Sequence, residues 1–100
     1  MELGILVNTS KNLKHVIGLI GAALKKGHSA RLFVMDEGTR LLENSKFTGL
    51  SDHEKVTMSF CEYNAVQLGI NLENLNTKIK KGNQMHNAIM CWKSDKILIL

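Results

Sequence analysis

Residues 56–70 read VTMSFCEYNAVQLGI, a run in which a strand, a cysteine and a helix follow one another without a linker. Val56 to Phe60 alternates apolar and polar residues and contains strand-forming side chains, which predicts a strand. Glu62 to Leu68 is predicted to be a helix, and Gly69 to end it. Cys61 therefore lies at the junction between a strand and a helix.

Short apolar runs outside this stretch predict further strands at residues 3–7, 31–35 and 96–100, the last as a buried closing strand. Residues 70–81 are ambiguous and are predicted to form either a loop or a weak fourth strand. Strands that alternate with helices imply parallel pairing through right-handed crossovers, with helices covering the sheet. The sequence thus predicts one α/β domain over residues 1–100.

The first predicted helix has apolar residues spaced by three and four between Leu13 and Leu24. Thr9 or Ser10 is predicted as its N-cap, and Gly27 as its left-handed stop. From residue 44 to 55 the chain is polar and is predicted to be irregular, although Ser51 begins a Ser-x-x-Glu pattern typical of a capping box.

Another helix is predicted near the end of the chain, with Asn83 as its N-cap. Its apolar stripe has helical spacing and consists of Met85, Ala88, Ile89 and Trp92. Such a stripe is expected to face the sheet, and Cys91 beside it is expected to be a packing residue.

Composition excludes several classes of protein. With 44% apolar and 22% charged residues the chain is typical of a globular domain, and no apolar run approaches the roughly 20 residues that cross a bilayer. The net charge of +4 is spread over the chain, with one cluster at residues 78–81 and no interleaved aromatic residues, which argues against nucleic-acid binding.

No metal or cofactor site is predicted. The histidines have no ligand spacing with one another or with a cysteine, and each is expected to be an exposed polar residue. Gly18 and Gly21 lie inside a helix and do not form a dinucleotide-binding fingerprint.

Ligands of open parallel sheets bind beyond the carboxyl ends of the strands. That rule selects Asn8, Asp36, Glu37, Cys61 and Glu62, which should lie along one edge of the sheet. Cys61 is either a nucleophile, whose thiolate the amides at the start of the helix would favour, or a small buried packing residue. The other four residues would form a pocket beside it.

Four segments together resemble one known family, the DsrE/TusD sulfur-relay proteins. They are GILVNT at 4–9, LFVMDEGTRLL at 32–42, the run at 56–70, and GNQMHNAIMCWKSDKILIL at 82–100. The resemblance spans essentially the whole chain and depends on the order of the segments.

This resemblance implies a three-layer α/β/α fold with a five-stranded, mainly parallel sheet. It also implies a homo-oligomer, either a dimer, a trimer or a hexamer. Cys61 would be the sulfur acceptor, carrying sulfane sulfur as a persulfide between donor and acceptor proteins.

Two other interpretations stay open. In the first, the chain is a binding or assembly module that keeps the fold without the sulfur chemistry. In the second, it is a redox sensor that pairs Cys61 with Cys91. Two cysteines outside a Cys-x-x-Cys motif, and no export signal in the N-terminal residues, favour free thiols in a reducing cytoplasm.

Overall fold

The computed structural model describes all of residues 1–100 and contains five strands and four α-helices. In chain order these elements are β1 (Glu2–Val7), α1 (Leu13–Lys25), β2 (Ser29–Val34), α2 (Ser45–Thr48), β3 (Val56–Cys61), α3 (Glu62–Gln67), β4 (Ile79–Gly82), α4 (Gln84–Lys93) and β5 (Lys96–Ile99). Two 3-10 helices, Asp36–Glu43 and Gly49–Asp52, flank α2.

The strands form one sheet in the order β4-β3-β2-β1-β5, and every neighbouring pair is parallel. The connections from β1 to β4 all step in one direction, so right-handed crossovers put α1, α2 and α3 on one face. The connection through α4 runs back across the sheet and puts that helix on the opposite face. The predicted α/β class with a five-stranded parallel sheet is confirmed.

The two faces of the sheet are filled very differently. The first face, covered by α1 to α3, holds a cluster of 17 buried apolar residues that includes Met58 and Phe60 of β3. The second face, covered by α4 alone, holds a cluster of three: Phe33, Cys61 and Met90. Because side chains alternate along a strand, the same β3 that builds the main core points Cys61 to the other side.

The prediction of Thr9 or Ser10 as the N-cap of α1 is wrong. The helix begins after Asn12 and has no side-chain cap. The Thr9 hydroxyl and the Asn12 amide instead donate hydrogen bonds, of 2.8 and 3.0 Å, to the carbonyl oxygen of Leu100. These side chains therefore attach the chain beyond β5 to the loop after β1. The stop at Gly27 is confirmed, with φ of 79°.

The polar segment after β2 is more ordered than predicted. Asn44 caps α2 by accepting hydrogen bonds from the N–H groups of Lys46 and Phe47, and the Phe47 ring is fully buried in the main core. Ser51 caps no helix; it lies within a 3-10 helix, and its hydroxyl donates to the Thr48 carbonyl. One aromatic anchor thus fixes this segment against the first face.

The last strand is an edge strand and not the buried one that was predicted. Its crossover delivers β5 to the free side of β1, and all four of its residues are exposed, Ile99 by 63%.

The stripe of α4 faces outward, which is also a correction. Met90 is the only buried residue of the helix, whereas Met85 and Trp92 are 68% and 87% exposed. Cys91, expected to pack, is exposed too. The helix contacts the sheet through its less apolar side, because the half-buried His86 and Asn87 share that side with the buried Met90.

Candidate functional site

The carboxyl ends of the three central strands are level with one another. Val7 pairs with Val34, and Val34 pairs with Phe60, so the loops after β1, β2 and β3 begin at the same edge. This register brings Asn8, Asp36 and Cys61 to one edge of the sheet. Their side chains, however, do not turn to the same face.

The thiol of Cys61 lies on the second face. The residue is 7% exposed and packs in the cluster with Phe33 and Met90. Cys61 is also the N-cap residue of α3, but its side chain accepts no hydrogen bond from that helix, which has only six residues. The amides of α3 therefore do not hold the sulfur atom, which was one expected source of thiolate stabilisation.

A histidine of α4 lies over the strand that neighbours Cys61. Cys61 pairs in register with Gly82 of β4, and the His86 imidazole rests directly on Gly82. A methyl group at Gly82 would stand 2.6 Å from His86 Nδ1, so only glycine leaves room for the ring. Adjacent parallel strands are about 4.8 Å apart, and this spacing brings the imidazole to the strand that flanks the thiol.

The hydrogen bonding of His86 is defined at one of its nitrogens. The backbone N–H of Asn83 donates to Nδ1 at 3.3 Å, as part of a capping box at the start of α4. Since Nδ1 accepts, the neutral ring carries its proton on Nε2. His86 and His28 are half-buried, which corrects the expectation of exposed polar histidines at these two positions. The Gly-Asn-x-x-His spacing at residues 82–86 is the signal that sequence reasoning missed.

Asp36 and Glu37 open toward α3. With Asn64, Gln67 and Leu68 they line a cavity of about 290 Å³. Asp36 has a left-handed φ of 47°, and its N–H donates to Asn64 Oδ1 at 3.0 Å. This strained residue therefore locks the turn after β2 onto α3.

The other predicted pocket residues lie apart from that cavity. Glu62 pairs with Lys81 at 3.5 Å on the surface, while Glu37 pairs with Arg40. Asn8 is half-buried and lines no cavity with Asp36. The structure thus brings Asp36 and Glu37 together, and it separates them from Cys61, Glu62 and Asn8.

Three further properties concern the whole chain. No three His, Cys, Asp or Glu side chains converge as a metal site would require. None of the helices has the length and apolar character needed to span a membrane. Both cysteines are free thiols, one buried and one exposed.

Comparison with known proteins gives structural likeness without sequence likeness. No family model and no curated protein matches the chain. The crystal structure of the ychN protein from E. coli superposes with a TM-score of 0.78 at 18% identity, covering 100% of both chains. A protein of unknown function from Methanobacterium thermoautotrophicum, MTH1491, has a TM-score of 0.78 at 9% identity, covering 99% of this chain and 98% of its own. These matches show the fold over the full length of the chain.

Proposed function

We propose that this chain is a DsrE/TusD-like sulfur carrier that accepts sulfane sulfur as a persulfide on Cys61. The observation that carries the proposal is the pairing of Cys61 with Gly82, the residue on which the His86 imidazole rests. A thiol at the carboxyl edge of a parallel sheet, flanked by a strand that seats an imidazole, has the two groups that thiol chemistry needs. The shared fold with ychN is consistent with the resemblance seen in the sequence.

The transfer step needs no oxidant. The Cys61 thiol gives its proton to solvent, and the thiolate, which the Nε2–H of the His86 imidazole would stabilise, attacks the outer sulfur of a donor persulfide, R–S–SH. A bond forms between Sγ and that sulfur while the donor's S–S bond breaks, and its electron pair leaves on the donor thiolate. The leaving donor thiolate takes up a proton from solvent. Delivery to the acceptor protein is the same exchange in reverse.

The surroundings of Cys61 restrict which donors can react. Only 7% of the residue is exposed, and Phe33 and Met90 form apolar walls around it. A narrow donor, such as a cysteine persulfide on an extended segment of a partner protein, fits this access better than a flat protein surface. Apolar walls also keep water from the sulfane sulfur. A free, reduced thiol of this kind suits the cytoplasm, which is where we expect the protein to act.

Mass spectrometry after exposure to a small persulfide donor tests the proposal. Exposed Cys91 is a competing thiol, so the comparison is made in a Cys91→Ser background, with and without Cys61→Ser. We expect the gain of one sulfur atom on the protein with Cys61 and none on the double variant, and peptide mapping should put the sulfur at residue 61. Absence of any gain, under conditions that load a known carrier, would contradict the proposal.

A second candidate function is that of an assembly module, favoured by the outward stripe of α4. Trp92 is 87% exposed and is flanked along the helix by exposed Met85 and Ile89. Exposed aromatic and methionine side chains at helical spacing are typical of protein interfaces. A second copy of the chain is the occupant we propose, because one apolar stripe packs against its own symmetry mate about a two-fold axis.

Light scattering coupled to size exclusion tests the assembly. Trp92→Lys should convert the oligomer to a monomer, whereas Tyr63→Lys should leave it intact, since Tyr63 is a similarly exposed aromatic residue on α3. A wild-type monomer at high concentration, or equal loss in both variants, would refute the α4 interface. Sulfur loading of Cys61 in the monomeric variant separates the two candidates.

A further inference from the structure

A small cavity lies on the second face, where α4 leaves β3 and β4 uncovered. The helix packs over β1 and β2, so the polar side chains of the outer strands open beside it. The cavity measures about 170 Å³. Its wall is formed by two apolar residues, Met58 of β3 and Ile89 of α4, and by the hydrogen-bond donors Arg31, Thr57, Ser59, Lys80 and His86.

Ser59 is the most informative residue of this cavity. It is 9% exposed and lines the cavity. Ser59 pairs in register with Lys80 of β4, so the two side chains lie on the same face of the sheet. Thr57, two residues earlier on the same face of β3, contributes a second hydroxyl.

The charges around the cavity favour an anion. Lys80 takes part in none of the ion pairs of the chain, and its side chain is exposed toward the cavity. Arg31 binds Glu2 at 3.4 Å through Nε and at 3.5 Å through one terminal nitrogen, which leaves the other terminal nitrogen free. Glu2 is therefore neutralised, and Lys80 adds a net positive charge. The Nε2 proton of His86 is a further donor.

We infer that this cavity binds a single tetrahedral oxyanion, of the sulfate or phosphate type. All five polar groups donate hydrogen bonds, which matches a ligand that only accepts them. The volume is below the roughly 300 Å³ at which pockets for drug-sized ligands begin, so one tetrahedral group fits and a nucleotide does not. Ser59 and Cys61 are two residues apart on β3, so the site lies about 7 Å from Cys61. The inference stands whether or not Cys61 carries sulfur.

Calorimetric titration with sodium sulfate and with inorganic phosphate, at ionic strength held constant with chloride, tests the site. We expect saturable binding of both anions and about tenfold weaker binding in Lys80→Met and in Ser59→Ala, since each removes a hydrogen bond to a charged group. Lys81→Met is the matched control, because Lys81 is the next residue of β4 and points to the opposite face. Cys61→Ser should bind as tightly as the wild type.

The outcomes distinguish a specific anion-binding site from nonspecific electrostatic attraction. Absence of saturable binding at millimolar anion, or a loss in Lys81→Met equal to that in Lys80→Met, would overturn the inference. If Ser59→Ala fails to fold, Thr57→Val at the exposed end of the cavity replaces it and should weaken binding severalfold. Titration with glycerol phosphate in place of phosphate identifies the source of the bound oxyanion. Tighter binding of the ester indicates the end group of a larger molecule, and tighter binding of phosphate indicates the free ion. Either result supports the site.

Discussion

The two faces of the sheet have different roles in the molecule. The first face holds the 17-residue core beneath three helices, and its side chains are apolar and enclosed. The second face has one helix, a cluster of three residues, a donor-lined cavity and an outward apolar stripe. Every group that we assign to chemistry or to assembly lies on this second face. We infer that the first face provides the stability that lets the second keep exposed groups.

The largest expected effect lies on the first face. Phe60 is fully buried in the main core, and Phe60→Ala should lower the free energy of unfolding by about 3–5 kcal/mol. Tyr63→Ala, at a residue 68% exposed, should change it by less than about 0.5 kcal/mol. Urea denaturation measures both. A small loss of unfolding free energy in Phe60→Ala would contradict the inference that the first face provides most of the stability.

A smaller effect is expected where the second face is tightest. Gly82→Ala would put a methyl group 2.6 Å from the His86 ring, and forcing the ring aside should cost about 1–3 kcal/mol. Gly21→Ala in α1 is the matched control, because its methyl group meets nothing within 4 Å and should stabilise the helix by about 0.5–1 kcal/mol.

Displacement of the ring gives the same variant a functional readout. Sulfur loading of Cys61 should slow in Gly82→Ala and stay unchanged in Gly21→Ala. Loading at the wild-type rate with a displaced ring would separate His86 from the thiol chemistry and leave the cavity as the main feature of the second face.

The smallest effect is expected at the ion pair that joins β4 to α3. Lys81 and Glu62 lie 3.5 Å apart with both side chains largely exposed, so Lys81→Met should change the free energy of unfolding by no more than about 0.5 kcal/mol. The measurement is urea denaturation at low and at high salt. The difference in unfolding free energy between Lys81→Met and the wild type should shrink at high salt. A larger cost would mean that this edge of the sheet contributes more to stability than its exposure indicates.

Local patterns predicted the elements well because the information is local. Apolar runs located the strands, and Gly27 and Gly69 ended helices with the positive φ of 79° and 70° that glycine tolerates. The position of Cys61 at the end of β3 follows from the alternation of residues 56–60. These features depend on neighbours a few positions away.

The features that were missed depend on distant residues. Thr9 resembles an N-cap in sequence but binds Leu100, 91 positions away. The stripe of α4 is apolar enough to be a core face, and only the crossover geometry turns it outward. His86 rests on Gly82, yet its relation to Cys61 arises from strand pairing across residues 62–81. The face that a helix presents to the sheet, and the distant residues that a side chain contacts, are set by the topology of the chain. The periodicity of apolar residues in a helix carries no information about that topology.

The rate of sulfur loading at Cys61 in a Cys91→Ser background, compared between His86→Leu and His28→Leu, tests the central claim most directly. We expect His86→Leu to slow loading by about tenfold, because it removes a hydrogen-bond donor to a charged sulfur, whereas His28→Leu, a change at a half-buried histidine beside β2, leaves the rate unchanged. Equal rates in the two variants, with Cys61 loaded in both, would contradict the pairing of this thiol with this imidazole.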